Sequence, residues 1–259
     1  MAETIAVLSL KGGTGKTTTV RTLADVFRRI GLDVLAIDLD PQGNLSDYFD
    51  IPPDASPTIA DVLSGKAKTR AAVHDGIVPA TPILAEVERT MSGKMGRELV
   101  LRKALKDARK QHDVVLIDCP PALGLLTING LVAADWALIS SEAQYFALQG
   151  VQGVVDVIEQ AKEFYNPDLE FVGVVMNIAD MRTIHSREAY DQLREAYGDK
   201  VFSTVIRSSI AYAESAEKGL SILDHRPDLG ADYLALADEI LNRVGLRDAR
   251  RALKPLLAG

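Results

Sequence analysis

Short apolar runs alternate along the chain with longer stretches in which apolar residues recur every three or four positions. Runs of the first kind are typical of strands buried on both faces, and stretches of the second kind indicate amphipathic helices. The predicted strands are Thr4–Leu10, Val34–Leu39, Val114–Asp118, Trp136–Ser140, Phe171–Asn177 and Val201–Ile206. The predicted helices are Thr17–Ile30, Gly96–Lys110, Leu125–Ala133, Leu148–Phe164, Ser186–Tyr197 and Asp232–Val244.

This alternation predicts an α/β fold, with a mostly parallel, twisted sheet and helices on both of its faces. Residues 51–95 are less regular and rich in Pro, Ala and Thr, and we predict for them a surface excursion with one short helix near Thr58–Leu63. Since no repeat or low-complexity linker divides the chain, we predict a single domain over residues 1–259. Residues 1–245 would form its core and residues 246–259 a basic tail.

The amino-acid composition excludes only a few classes of function. The net charge of −7 argues against nucleic-acid binding over the whole surface but leaves room for a local basic patch. One cysteine, Cys119, excludes an internal disulfide and a cysteine-based metal site, so we predict a small buried residue there. The chain shows neither a leader nor an apolar run long enough to span a bilayer, and we expect a cytoplasmic protein.

The stretch "SLKGGTGKTTT" lies between the first predicted strand and the first predicted helix, which is where phosphate-binding loops occur. Gly12, Gly13 and Gly15 let the backbone curl so that several N–H groups converge on an anion. The positive end of the helix dipole adds to this attraction. The stretch therefore predicts a P-loop of a nucleotide-binding fold.

Two lysines distinguish this loop from an ordinary P-loop. Lys16 can reach the β- and γ-phosphates, and the Thr17 hydroxyl can ligate Mg²⁺. Leu10 stands where the standard pattern has glycine, and Lys11 is an additional lysine with no role in the standard loop.

Carboxylates end two further predicted strands, in "VLAIDLDPQGN" and "DVVLIDCPPALG". Ligands of open α/β sheets bind outside these strand ends. We predict that Asp38 and Asp118 hold a metal ion, directly or through water, and that Asp40 positions an attacking water. Capping of a helix or turn is the alternative role for Asp38 and Asp40.

Three motifs together resemble those of one family. Lys11–Thr18, Asp38–Asn44 and "IDCPP" are similar to the deviant Walker A, A′ and Walker B motifs of ParA/Soj-type partition ATPases, in the MinD/ParA superfamily. The later segments Glu142–Val151, Gly173–Thr183 and Val201–Ile206 are similar to family segments in the same order. The chain resembles the short form of the family, which lacks an N-terminal helix-turn-helix domain.

The resemblance implies ATP and Mg²⁺ as ligands and a slow ATPase activity. It implies a homodimer that sandwiches ATP, with Lys11 reaching the partner's nucleotide, Asp40 required for hydrolysis and Asn177 recognising adenine. Where the family has Ile-Pro-Arg-Asn, this chain reads Ile206-Arg207-Ser208-Ser209. The residues expected to bind the nucleotide are Lys11, Gly12, Gly13, Thr14, Gly15, Lys16, Thr17, Thr18, Asn177 and Arg207. Thr17 is also an expected metal ligand, and Lys11 and Lys16 join Asp40 as expected catalytic residues.

The resemblance also implies partners. ATP-state dimers of the family bind DNA without sequence preference through basic residues, associate with the nucleoid, and are stimulated by a ParB-like protein. A second arginine of the family pattern is replaced here by Ala211. The candidate DNA-binding residues are Arg182, Arg207, Lys218, Arg247, Arg250 and Arg251.

Other functions remain open at this point. Leu246, Ala249 and Leu253 can share one face of a basic helix, as in the membrane-binding helix of MinD-like ATPases, although Pro255 interrupts the pattern. A ParA-like positioner of a protein cargo and a metabolic enzyme on the same fold are further alternatives. The iron-protein version of such an enzyme needs bridging cysteines, which this chain lacks. A ligase needs a substrate pocket, and no separate group of residues in the sequence indicates one. We therefore expect DNA as the partner and do not expect a membrane.

Overall fold

The computed structural model describes residues 1–144 and 147–258. Tyr145 and Phe146, which belong to the family-like segment Glu142–Val151, lie outside the described residues, as does Gly259 at the end of the predicted tail.

Seven strands form one sheet in the order β3-β2-β4-β1-β5-β6-β7, and the pairings between them are parallel. This confirms the predicted α/β sheet and each of the six predicted strands. The strands are β1 Glu3–Leu8, β2 Val34–Asp38, β3 Ile77–Val78, β4 Val114–Asp118, β5 Trp136–Glu142, β6 Glu170–Ala179 and β7 Val201–Arg207.

The helices of the described residues cover both faces of the sheet. Along β1, Ala6 and Leu8 pack into one apolar layer, while Ile5 and Val7 pack into the other. The α-helices are α1 Lys16–Arg29, α2 Asn44–Tyr48, α3 Ile59–Ser64, α4 Ile83–Met91, α5 Val100–Ala104, α6 Leu125–Ala133, α7 Ala147–Phe164, α8 Ile184–Tyr197, α9 Ala211–Glu217, α10 Ile222–His225, α11 Pro227–Arg243 and α12 Arg247–Ala258.

Cys119 follows β4 and is fully buried in one of these layers. Burial, which disfavours the thiolate, raises the pKa of its thiol to about 12. The prediction of a small buried residue is confirmed.

The predicted helix Gly96–Lys110 is wrong as one continuous element. Only α5 is α-helical, between the 3₁₀ turns Arg97–Leu99 and Ala108–Lys110. Asn129, from α6, accepts a hydrogen bond from the Leu101 N–H (3.1 Å) and donates one to the Arg97 carbonyl (2.9 Å). This side chain therefore takes up backbone groups that would otherwise belong to the start of a longer helix.

Residues 51–95 contain the predicted short helix, as α3, but also β3 and α4, which the sequence reasoning missed. The strand β3 is two residues long and exists through its pairing with β2. The segment between β7 and α11 likewise holds two unpredicted helices, α9 and α10.

The basic tail folds as α12 and packs along α11. Leu253 and Ala249 are buried against it, and the helix continues through Pro255 to Ala258, so the interruption expected at Pro255 is wrong. Among the helices of residues 1–144 and 147–258, none is both long and apolar enough to cross a bilayer.

Candidate functional site

The carboxyl ends of three central strands meet at one edge of the sheet. Val7 of β1 and Asp38 of β2 both stand in register with Asp118 of β4. The glycine loop connects β1 to α1 directly above them, and an open cavity of about 790 Å³ lies against the loop. A cavity of this size suits a nucleotide.

The predicted nucleotide-binding residues all line this cavity, and so does Asp40. The lining includes Lys11, Gly12, Gly13, Thr14, Gly15, Lys16, Thr17, Thr18, Asn177 and Arg207. The further lining residues that the sequence analysis missed include Tyr48, Tyr212, Glu217 and Tyr233, which come from α2, α9 and α11. No motif marked them, because the sheet and helices bring them to the cavity from distant parts of the chain.

The loop has glycine where its backbone takes a left-handed conformation that other residues rarely adopt. Gly15 has φ +76°, and a Cβ there would stand 3.3 Å from the side chain of Asn177. Gly15 is also the N-cap of α1, and no side chain of the described residues caps this helix. The first N–H groups of α1 are therefore available to an anion.

A polar network beneath the loop ties it to β5 and β6. The Asn177 amide nitrogen donates to the Ser140 Oγ (2.6 Å) and to the Thr19 Oγ1 (3.2 Å), and Ser140 donates to the Thr14 carbonyl (2.8 Å). The amide nitrogen of Asn177 is thus engaged in holding the loop. Its carbonyl oxygen is the atom that could accept a hydrogen bond from the amino group of adenine.

Lys16 and Asp118 form a buried ion pair, with 2.5 Å between Nζ and Oδ1, and the two side chains are 6% and 0% exposed. Burial by itself would lower the pKa of Lys16, but the charge of Asp118 and the hydrogen bond to it outweigh burial and raise that pKa. The Thr17 hydroxyl donates to the other oxygen of Asp118 (2.7 Å). Lys16 is therefore held in its charged form beside the cavity.

Thr17 and Asp118 offer the kind of oxygen donors that Mg²⁺ prefers. Among the described residues there is no group of three or more His, Cys, Asp or Glu side chains that would hold a metal unaided. This fits an ion that takes two protein oxygens and completes its shell with phosphate oxygens and water, as Mg²⁺ does with nucleotides. The chain's donor set thus suits Mg²⁺ brought in together with a nucleotide.

Asp38 has different surroundings from those predicted for a metal ligand. It is fully buried, does not line the cavity, and accepts hydrogen bonds from Asp40 and Ser46. Burial first, and then the charge of Asp118, raise its pKa to about 7, against the effect of those hydrogen bonds. Asp40 lies two residues further on, at the cavity, where its Oδ1 accepts from the Gln42 N–H (3.0 Å).

The segment that replaces the family's Ile-Pro-Arg-Asn lies along the far side of the cavity. Arg207 lines it, but its guanidinium is held by the Asp232 carboxylate (2.8 Å) and the Asp228 carbonyl. The Tyr212 hydroxyl beside it is buried without a hydrogen-bond partner among the described residues. A nucleoside bound here would meet the hydroxyls of Ser208 and Ser209, which this chain has within its own version of the segment.

The candidate DNA-binding residues are divided between two edges of the sheet. Arg182 follows β6, is 91% exposed and pairs with Asp180; Lys218 is exposed at the end of α9. Both lie on the side of the strands' carboxyl ends, as Arg207 does. A strand of six residues spans about 20 Å, which separates this edge from the opposite one.

The arginines of α12 lie at that opposite edge. Arg247 and Arg251 line a hollow of about 820 Å³ next to Glu3, where β1 begins. Arg250 instead pairs with Asp238 (2.7 Å) and donates to Asn242 (2.7 Å), both on α11. The structure therefore does not gather the six predicted DNA-binding residues into one patch.

Comparison with known proteins agrees with this geometry. A family model described as an AAA domain matches residues 2–171. The chromosome-partitioning ATPase Soj of Thermus thermophilus is 38% identical over 246 residues, which covers 93% of this chain and 96% of that protein. The chain belongs to the ParA/Soj family of partition ATPases. The resemblance stated from the motifs is thereby confirmed, and with it the ATPase fold.

Solved structures place the ParA/Soj-family chain among nucleotide-bound relatives. A Mycobacterium smegmatis structure described as cobyrinic acid a,c-diamide synthase with bound ADP and magnesium is 35% identical, with a TM-score of 0.76, over 84% of this chain and 93% of that chain. The septum site-determining protein MinD of Pyrococcus horikoshii with Mg-ADP is 25% identical, with a TM-score of 0.77, over 95% of this chain and 98% of that one.

Proposed function

We propose that this ATPase is an ATP-operated dimer switch that binds nonspecific DNA in its ATP state and positions or segregates DNA together with a ParB-like partner. Mg·ATP is its ligand, because the cavity, the uncapped start of α1 and the Thr17–Asp118 pair suit a magnesium nucleotide, and solved relatives hold one. When bound, Mg²⁺ supplies charge neutralisation at the phosphates. The chain's own residues would bind the phosphates and orient the attacking water.

The two lysines of the glycine loop carry the proposal. Lys16 is buried and paired with Asp118, whereas Lys11 is exposed at the mouth of the same cavity. Within residues 1–144 and 147–258, no carboxylate forms an ion pair with Lys11. One lysine thus serves the chain's own nucleotide, and the other is directed outward and ready to meet phosphates presented by a second subunit.

A γ-phosphate between two subunits would act as the switch. It adds negative charge to an interface from which water is excluded, where each contact to a lysine is stronger than it is in water. ATP then favours the dimer because it binds the dimer better than the monomer. Asp40, at the cavity, orients the water whose attack removes the γ-phosphate, and loss of that phosphate returns the dimer to monomers.

Basic residues at the carboxyl edge of the sheet are the first candidates for DNA contact. Arg182 and Lys218 share this edge with the nucleotide cavity, so ATP-dependent dimerisation would bring two copies of them together. Contacts to DNA phosphates are independent of sequence and weaken with salt. Association with the nucleoid in the cytoplasm follows from such binding.

The MinD-like alternative needs a helix that presents its apolar face to a membrane. In this chain the apolar face of α12 is used for packing, since Leu253 and Ala249 are buried on the domain. This supports DNA over a membrane as the partner. Protein cargo remains an alternative to DNA cargo for the same ATP cycle.

Co-sedimentation separates these functions. We expect the protein with ATP, and Asp40→Ala with ATP even more, to pellet with nonspecific duplex DNA, and ADP to release it. Vesicles containing anionic lipid should leave it in the supernatant in both states. ATP-dependent binding to vesicles without DNA binding would instead support the MinD-like function, and binding to neither would favour a protein cargo.

Arg182→Ala tests the DNA surface. We expect it to weaken DNA binding at every sequence and to lower the slope of log affinity against log salt by about one. Arg250→Ala is the matched control, because Arg250 also forms an ion pair but lies on α12, at the opposite edge of the sheet from the nucleotide cavity, and should leave the slope unchanged. Equal loss of DNA binding in both variants would contradict the assignment to the carboxyl edge.

A further inference from the structure

We propose that Asp38 is a positioning residue that fixes the direction of Asp40 and does not ligate the metal. This inference rests on the proposed role of Asp40 in hydrolysis. The sequence placed Asp38 among the metal ligands, because a carboxylate at a strand end beside a P-loop is a usual ligand. The contacts of Asp38 point to a different task.

Both oxygens of Asp38 are engaged by protein donors. Oδ1 accepts from the Asp40 N–H (3.0 Å), and Oδ2 accepts from the Ser46 N–H (2.9 Å) and the Ser46 hydroxyl (2.8 Å). The side chain is 0% exposed and does not line the nucleotide cavity. Three protein donors thus engage this carboxylate, and it presents no surface to the cavity in which a nucleotide and its ion would bind.

The direction of the Ser46 hydrogen bond is set by a second contact. The Ser46 Oγ accepts from the Ala80 N–H (2.9 Å), just beyond β3. Its one proton is therefore left for Asp38. Two consecutive hydrogen bonds, from Ala80 to Ser46 and from Ser46 to Asp38, thus connect the end of β3, the start of α2 and the end of β2.

These bonds close a loop around Asp40. The carboxylate of Asp38 holds the backbone of Asp40 at one end of the turn and that of Ser46 at the other. Within the turn, the Gly43 N–H donates to the Asp40 carbonyl (2.9 Å), and Asp40 Oδ1 accepts from Gln42. One oxygen of Asp40 is thus occupied by the turn, and the direction of its other oxygen depends on Asp38.

A displaced Asp40 would bind ATP normally and hydrolyse it slowly. Misplacement of a catalytic group by about 1 Å can cost about 100-fold in rate. Asp38→Asn keeps the size of the side chain but turns an amide N–H₂ toward donors that need an acceptor. Ser46→Ala removes the hydrogen bond that the Ser46 hydroxyl donates to the same carboxylate. Ser46 itself does not line the nucleotide cavity.

The experiment is steady-state ATPase kinetics of Asp38→Asn, Ser46→Ala and Asp40→Ala over a range of ATP and Mg²⁺ concentrations. We expect Asp38→Asn to lower kcat by about 10- to 100-fold and Ser46→Ala by about fivefold. For both, the KM for ATP and the Mg²⁺ concentration at half-maximal rate should stay within about twofold of wild type. Ser64→Ala, at the end of α3, is the control and should change neither constant.

Three results would overturn the proposal. A large rise in the Mg²⁺ requirement of Asp38→Asn, with Ser46→Ala silent, would make Asp38 a metal ligand. A lower melting temperature with an unchanged kcat of the folded protein would make its role purely structural. Full turnover by Asp40→Ala would remove the proposed role of Asp40 itself, a failure that this variant alone reveals.

Discussion

Replacement of Lys11 by alanine is expected to abolish ATP-dependent dimerisation while leaving ATP binding to the monomer nearly intact. Lys11 is exposed, whereas Lys16, the lysine that we expect to hold the chain's own nucleotide, is buried. Removing one partner of a desolvated charge pair at an interface costs about 2–5 kcal/mol. The dimer should therefore weaken by at least about 30-fold.

The measurement is analytical gel filtration in the Asp40→Ala background, which keeps ATP unhydrolysed. Asp40→Ala with ATP should elute as a dimer, and Lys11→Ala/Asp40→Ala as a monomer that still binds a fluorescent ATP analogue. Lys66→Ala, at an exposed lysine remote from the loop, should not affect dimerisation. A dimer in the Lys11 double variant would show that Lys11 does not reach across the interface.

Asp118→Ala is expected to destabilise the nucleotide-free protein by about 3–5 kcal/mol, because it leaves Lys16 buried without its partner. For a chain of this size such a loss lowers the melting temperature by about 6–20 °C. Urea unfolding without nucleotide would measure it. Asp248→Ala removes an acid from an exposed ion pair with Arg251 and should be neutral by comparison.

A second variant separates the effect of the unpaired Lys16 charge from the effect of the packing lost when Asp118 is replaced by alanine. Lys16→Met/Asp118→Ala removes both charges, and replacing a buried ion pair by apolar groups is often neutral. We therefore expect the double variant to be more stable than Asp118→Ala alone. If it is less stable, the loss in Asp118→Ala comes from packing and from the Thr17 hydrogen bond rather than from the unpaired lysine.

Local patterns predicted the elements that depend on neighbouring residues. The glycine loop, the six long strands and the helices α1, α6, α7 and α8 could be recognised because periodicity and turn residues lie within each segment. Helix α4 also carries such a signal, with Leu84, Val87 and Met91 at helical spacing, and could have been predicted. The interruption of Gly96–Lys110 could not, since it depends on Asn129 from another helix.

In the candidate site, too, some features could be predicted from the sequence and others could not. That Lys16, Asp40 and Asp118 meet at one sheet edge follows from strand ends that the sequence shows. That Lys16 pairs with Asp118, 102 residues away, does not follow, because the pairing requires the order of β1 and β4 in the sheet. The same holds for Asp38, whose partners Asp40 and Ser46 follow it closely in sequence but reach it only through the folded turn.

The sequence by itself determined the fold class, the family and the glycine-loop residues that line the nucleotide cavity, because motif chemistry is carried by short contiguous stretches. The tertiary structure decided which of those residues face the cavity and which support it. In the folded chain Lys11 is exposed, whereas Lys16 and Asp38 are buried. The apolar residues Ala249 and Leu253 of α12 are buried by packing. Burial and hydrogen-bond partners arise from segments distant in sequence, so only the folded chain assigns them.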